Sequence, residues 1–581
     1  MPILRSCLVA TLVLTALGCF RTPPPTTPRM APTAKVVPPD AKVKLAVLVV
    51  FDQLRGDYLA RWQPQFGVGG FNRLMTDGAW YANCHYPYAT TTTGPGHASI
   101  LTGCSAEKHG IINNNWFDRE AGEDVYCAGA TRYRTIPALP KTLLSSVTTK
   151  PTSAGCPDRL LASTVADSLK DATSGRGKVV GLSLKDRGAI LPSGREPDAV
   201  YWFDDRLCTS TYYRDSVHSW VAAYNRSKTA DRFFGKPWDR FRPTLNYDRL
   251  AGPDDGSGEG SGTKQGKVFP HPTTGGLREP GPAYYTAVET SPYGNELLLD
   301  VAKRAILAES LGVDDVPDLL TVSFSSNDLI GHTWGPDSHE VLDVTLRSDA
   351  IMAELLTFLD DTVGKGNYLV LLTADHGVCP IPEGLTKRGE VAGRVSVKDT
   401  MAGLYQHLLT RFPAAATRET PLPQWFEAVS LPHLYLNRKL LKAKNLDENE
   451  VANVAAEWLR TQPNIANTYT RKQLTGPIPA DDKFGQMAKK SYYPDRSGEL
   501  YVILKSHYLP GSGSTGTGTT HGSPYEYDTH VPLLAFGPGI PGGKRTDRVT
   551  PQHAAPIAAQ FLGVNRPDHC DTTTPETLLK P

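Results

Sequence analysis

Short apolar runs punctuate the chain, and most of them stop at a polar residue able to do chemistry. Lys44 to Phe51 is almost entirely aliphatic and ends at Asp52. An unbroken run of that length predicts a strand buried on both faces, as in a parallel sheet. Similar runs cover 178–184, 318–324, 367–373 and 531–536. Between them, 160–172, 296–311 and 341–363 carry apolar residues at helical spacing. Strands alternating with helices predict an α/β fold, with a mostly parallel central sheet and helices on both faces. The carboxyl ends of strands are where such sheets hold ligands. Here those ends lead into Asp52, Asp328 and Asp375-His376-Gly377.

Two stretches break the alternation. Gly252 to Gly276 opens Gly-Pro-Asp-Asp-Gly-Ser-Gly-Glu-Gly-Ser-Gly and reads as a flexible surface loop. Residues 390–496 mix helix-like segments with Pro-rich breaks and read as a smaller inserted α+β subdomain. The catalytic domain is then assembled from 44–389 and 497–581.

The remaining segments lie at the start. Leu8 to Leu17 is an apolar stretch after Arg5, too short to span a bilayer. It ends in Ala16-Leu17-Gly18-Cys19, small residues before a cysteine, similar to a bacterial lipoprotein signal with Cys19 carrying the lipid. Leu is usual where Ala16 stands, and cleavage after Gly18 as an ordinary signal peptide is the alternative. Residues 1–19 are thus expected to be a signal peptide. Residues 20–43, rich in Pro and Thr, read as a tether. The expected location is periplasmic or outer-membrane-anchored, or secreted.

At 581 residues, with 40% hydrophobic and 21% charged residues, the chain can bury a large core. A formal net charge of +1 gives no global pull on nucleic acid, so any anion must be held locally. Beyond Cys7 and Cys19 the cysteines are Cys84, Cys104, Cys127, Cys156, Cys208, Cys379 and Cys570. Export permits disulfides, but an odd number leaves at least one without an intramolecular partner. No Cys-x-x-Cys pair is present, which excludes a zinc ribbon.

The chemistry centres on Ala89-Thr90-Thr91-Thr92-Thr93-Gly94-Pro95-Gly96-His97. His97 to Thr102 reads as the first turns of a helix. A hydroxyl at that junction lies beside unpaired N–H groups and the positive end of a helix dipole, a suitable place for a nucleophile meeting a phosphoryl group. Four further sites join it: Asp52, Asp328 with His332, Asp375-His376, and His521 after a Gly/Ser/Thr loop. Asp328 and His332 share a face if their segment is helical. Alone, each is an ordinary turn or surface residue. Together, three carboxylates and three imidazoles offer mixed oxygen and nitrogen donors, which suit zinc better than calcium or magnesium. Six ligands and a hydroxyl are enough for two ions about 4 Å apart, clamping an in-line displacement.

In this order the motifs Phe51-Asp52, Thr93-Gly94-Pro95-Gly96-His97, Asp328 with His332, Thr373-Ala374-Asp375-His376-Gly377 and His521-Gly522-Ser523-Pro524 resemble the alkaline phosphatase superfamily, in its nucleotide pyrophosphatase/phosphodiesterase branch. The resemblance implies two Zn2+ ions. Asp52, Thr93, Asp375 and His376 would hold one, and Asp328, His332 and His521 the other. It makes Thr93 the nucleophile of a covalent phospho-threonine mechanism. Thr90, Thr91 and Thr92 are equivalent by chemistry; only the family spacing selects Thr93.

Lys185-Asp186-Arg187 follows a strand, and residues two apart in extended chain point the same way, here towards one anion. It looks like the Lys-x-Arg of the phosphate-irrepressible alkaline phosphatases, phosphomonoesterases within this branch. His109 to Asp118 is similar to the same type, with Asn114 fitting best as a phosphoryl-oxygen ligand and Asn113 and Asn115 left open. Val200 to Asp204 and Thr209 to Tyr213 also fit it. The resemblance therefore implies hydrolysis of small-molecule phosphate monoesters. A monoester carries more charge on its terminal oxygens than a diester, so added cations favour it. The alternatives are a phosphodiesterase on the same scaffold and an inactive surface-anchored binding module. A sulfatase is disfavoured because Thr93-Gly94-Pro95-Gly96-His97 lacks the Cys-x-Pro-x-Arg context.

Overall fold

The computed structural model describes residues 37–138, 154–416, 422–511 and 516–580. The signal-like segment 1–19 and most of the tether lie outside them. Residues 37–43 are described, and here the tether's end is docked: Lys42 donates its N–H to the Phe561 carbonyl at 2.8 Å, and Val43 is buried.

Ten strands form one sheet, in the order Gly543–Val549, Ala79–Cys84, Leu533–Phe536, Tyr368–Thr373, Leu45–Phe51, Asp318–Phe324, Val179–Ser183, Ala199–Phe203, Leu207–Ser210 and Thr135–Ile136. The centre is parallel, as its all-aliphatic strands predict. Leu533–Phe536 departs from that, running antiparallel to both neighbours. It begins after Pro532, which has no N–H to give the ladder. Gly543–Val549 was not legible as a strand because four of its residues are charged; it is an edge strand with only Arg545 and Val549 buried.

Register decides where the chemistry falls. Phe51 pairs with Phe324, Val50 with Thr373, and Ser323 with Ser183. Four strands therefore end side by side, and the residues that follow them meet at one edge of the sheet.

The predicted helices are present with shifted ends set by caps. The first is Val165–Ala172, started by a Thr164–Asp167 capping box. The second, Pro292–Ala308, is capped by Ser291, and the third, His339–Leu359, by Ser338.

A second core gathers Leu404, Leu408, Trp425, Val451 and Leu459 around a four-stranded antiparallel sheet. Its strands are Phe426–Ser430, His433–Leu436, Leu500–Leu504 and Ile465–Thr470. Leu500–Leu504 comes from beyond residue 496, so this sheet takes one strand from outside the stretch that composition set apart.

The segment 252–276 is not a loose surface loop. Glu259, Gln265, His271 and Thr273 within it are buried, and His271 lies 2.9 Å from Glu340. Trp238 exchanges both backbone hydrogen bonds with His271. Glycine richness misled because it reports backbone freedom, whereas burial here comes from the few larger side chains between the glycines.

Candidate active site

Thr93 opens the buried helix Thr93–Thr102. The other three threonine hydroxyls are engaged elsewhere. Thr90 Oγ1 is 2.6 Å from Tyr501 OH, Thr91 donates to the Ser523 carbonyl, and Thr92 donates to Asn113 Oδ1. Thr93 Oγ1 alone faces the carboxylate–imidazole cluster, 3.3 Å from His376 Nε2. The helix can lie this close only because Gly96 has no side chain: a Cβ there would be 2.3 Å from the Asp375 carbonyl.

Two groups form. Asp52, Asp375 and His376 bring one donor atom each within 4.8 Å of one another, and so do Asp328, His332 and His521. Asp328 and His332 sit four apart on the helix Ser326–Trp334. The groups touch, with His376 and His521 stacked at 3.4 Å between ring centroids.

Hydrogen bonds orient every imidazole in the same sense. His376 Nδ1 faces the Gly377 carbonyl at 2.9 Å, His332 Nδ1 the Thr519 carbonyl at 2.7 Å, and His521 Nδ1 the Thr91 carbonyl at 2.8 Å. A carbonyl only accepts, so Nδ1 carries the proton and each Nε2 turns a lone pair inward. Metal-binding histidines are oriented in this way. Among the described residues no hydrogen bond satisfies the buried Asp52 Oδ1 or Asp375 Oδ2; His376 Nε2 lies 3.4 and 3.2 Å from them and His97 Nδ1 3.2 Å from the second, an arrangement that is costly unless a cation completes it. Lys185 lies against two of the three carboxylates, Asp52 and Asp328, so one ammonium serves both, and Asp375 has imidazoles as its neighbours. The donors are mixed oxygen and nitrogen, so each group could hold a metal ion of the kind that takes both.

Titration reflects this crowding. Burial, then Asp328 and Asp375, push the Asp52 carboxyl up to about 6. Burial opposes ionisation of Asp328 as well, but His332 and Lys185 hold its carboxyl well below the usual range.

Lys185 and Arg187 do not extend from one strand end as their spacing implied. Lys185 is the last extended residue, and Asp186–Ile190 turns into a helix whose first residue accepts the Arg187 N–H at 2.7 Å. Lys185 Nζ lies 2.6 Å from Asp52 Oδ2 and 2.5 Å from Asp328 Oδ2. Arg187 donates to Tyr126 OH at 3.3 Å, and its Nε is buried without a partner. The two cations are still close enough for Arg187 to oppose Lys185 protonation.

Among the three amides, Asn113 is consumed: Oδ1 accepts from Thr92 and from the Asn114 N–H, and Nδ2 donates to the Leu431 carbonyl. Asn115 is exposed. Asn114 Oδ1 accepts the N–H of Gly94, the residue after Thr93, at 2.6 Å, which holds the Asn114 amide close to the nucleophile candidate. Val200 to Asp204 and Thr209 to Tyr213 belong to two strands towards the sheet's far edge and the turn after them.

Sequence reading missed Gln53. Its side chain donates to Asp328 Oδ1 at 2.6 Å and its N–H to Asp375 Oδ1 at 3.1 Å, so one residue ties both groups together. Its φ of 71° is rare for a residue with a side chain. The only signal available was its position after Asp52. Asp528 accepts from Ser523 N and Oγ with its carboxylate and from Gly377 with its carbonyl. It supports the backbone beside both His521 and His376.

The sequence profile of the type I phosphodiesterase / nucleotide pyrophosphatase family matches residues 46–524. Alkaline phosphatase PhoV of Synechococcus elongatus is 33% identical over 533 residues, 91% of each chain. Alkaline phosphatase PafA of Elizabethkingia meningoseptica is 34% identical over 529 residues, 90% of this chain and 92% of that one. The crystal structure of wild-type PafA superposes with a TM-score of 0.83 at 32% identity, covering 92% of this chain and 98% of the other.

Proposed function

This chain belongs to the type I phosphodiesterase / nucleotide pyrophosphatase family, and from that premise we propose that it is a zinc-dependent phosphomonoesterase acting through a phospho-threonine at Thr93. The observation that carries the reading is that Thr93 alone of four threonines presents its hydroxyl to the carboxylate–imidazole groups, 3.3 Å from His376. The similarity to two alkaline phosphatases over nine-tenths of the chain supports the monoester class.

Asp52, Asp375, His376 and Thr93 would hold one zinc, and Asp328, His332 and His521 the other. Bound there, zinc supplies positive charge that lowers the hydroxyl pKa and offsets charge on the departing oxygen. Thr93 Oγ forms a bond to phosphorus as the ester P–O bond breaks and the alcohol leaves. Water then attacks the phospho-threonine, breaks the bond to Oγ and releases inorganic phosphate. Asn114 Nδ2 and Arg187 bind non-bridging oxygens. The Lys185 ammonium lies on Asp52 and Asp328 in this structure; with those carboxylates engaged as ligands it would be available to the same oxygens. A dianionic monoester gains more from these donors than a diester does. The export signal and a lipid anchor at Cys19 belong to the same proposal.

The test compares kcat/KM on a matched aryl phosphate monoester and methyl aryl phosphate diester. A large monoester preference is expected. A diester preference would make the protein a phosphodiesterase, and activity on neither would leave a binding module.

A further inference from the structure

A third convergence of metal-binding side chains lies outside the site described above. His85 follows the strand Ala79–Cys84, and Glu526 and His530 sit four apart around the helical turn Glu526–Thr529. One donor atom of each falls within 4.8 Å of the other two. We propose that His85, Glu526 and His530 form an additional zinc site that clamps segment 526–530 to the end of that strand.

Four observations carry this. First, the donor set is two imidazoles and a carboxylate, a familiar zinc combination. Second, the backbone fixes the geometry. His85 and His530 pair across an antiparallel bridge, and their rings stack at 4.6 Å with 16° between planes. The His530 N–H donates to the Glu526 carbonyl at 2.8 Å, which holds those two side chains on one face. Third, His530 Nε2 is 3.0 Å from the Ala82 carbonyl, so it carries the proton and Nδ1 is left with the lone pair. This is the second hydrogen bond that orients a ligating histidine. Fourth, among the described residues no hydrogen bond or ion pair engages the His85 ring nitrogens or the Glu526 carboxylate. Bonds of about 2.0–2.2 Å place tetrahedral zinc ligands roughly 3.4 Å apart. Closing the set takes movement of the exposed Glu526 side chain and rotation of the stacked His85 and His530 rings.

The consequence reaches the active site through the main chain. In the clamped segment, the Asp528 and Tyr527 carbonyls accept the N–H groups of Gly377 and Val378 at 2.7 and 2.8 Å, directly after His376. The Thr529 carbonyl accepts from Tyr86, next to His85. A metal at this site would therefore stiffen the backbone behind the catalytic imidazole without touching substrate.

The test counts zinc per chain by mass spectrometry after equilibrium dialysis at fixed free Zn2+, for wild type, His85→Ala and Glu526→Gln. The expected result is one zinc fewer per chain in each variant. Turnover at saturating zinc should stay within about twofold, and the zinc-dependent rise in Tm should shrink. Because the readout is a difference of one ion, it holds however many ions the Asp52 and Asp328 groups take. Equal counts in all three proteins would overturn the proposal. If His85→Ala fails to fold, the exposed Glu526→Gln decides alone.

Discussion

Gln53 donates its side-chain amide to Asp328 at 2.6 Å and its backbone N–H to Asp375 at 3.1 Å, across the two halves of the site. Its left-handed backbone aims both groups at once, and the side chain is confined by Gly331, where a Cβ would lie 1.8 Å from Gln53 Oε1. Strain kept at such a position marks a geometry the surroundings enforce. Replacing Gln53 by Gly relieves the backbone and removes the amide. Zinc affinity is expected to fall about 10- to 100-fold, the usual loss when a ligand's supporting hydrogen bond is removed. Thermal stability of the zinc-free protein should change little. Chelator competition and a melting curve measure the two separately, and unchanged affinity would reduce Gln53 to a packing residue.

Lys185 and Arg187 should discriminate between substrates. Loss of either cation is expected to lower kcat/KM for the monoester by about 10²–10³-fold, the range for removing one donor to a developing charge. The diester should lose much less, because it has one charged non-bridging oxygen fewer. Steady-state kinetics on both substrates for Lys185→Ala and Arg187→Ala check this, and equal losses on the two would assign the pair to structure.

Much of this site was legible because its carboxylates end aliphatic strands. Asp52, Asp328 and Asp375 stand where apolar runs stop, and register then brings them together. The choice among Thr90 to Thr93 was not legible from chemistry, since four identical hydroxyls differ only in partners supplied from residues 113, 376, 501 and 523. The turn at Asp186 that reorients Arg187 was hidden for a related reason. Three residues carry no periodicity, and the helix they start is only five residues long. Gln53 escaped because its residue type is ordinary and its distinction lies in φ.

Glu259 gives a stability prediction remote from catalysis. Burial and then Glu340 push its carboxyl from 4.5 up to about 8. The folded protein thus keeps a proton that the unfolded chain has released. This contribution is fully present below about pH 4.5 and is lost as pH rises towards 8, by on the order of 4–5 kcal/mol. Glu259→Gln removes the titration, so its stability relative to wild type should improve steadily from pH 5 to pH 8. Denaturant unfolding across that range measures the difference, and a constant offset between the two proteins would contradict the assignment.

The most direct test of the account is to find the phosphoryl group on the enzyme. The zinc-loaded protein is mixed with an aryl phosphate monoester, quenched in acid and digested, and the peptide spanning residues 89–103 is sequenced by mass spectrometry. The account predicts one added phosphoryl group on Thr93. It also predicts none in Thr93→Ala, whose turnover should drop by orders of magnitude while most of the zinc stays bound. Undiminished turnover in Thr93→Ala, or a phosphoryl group on Thr90, Thr91 or Thr92 instead, would contradict it.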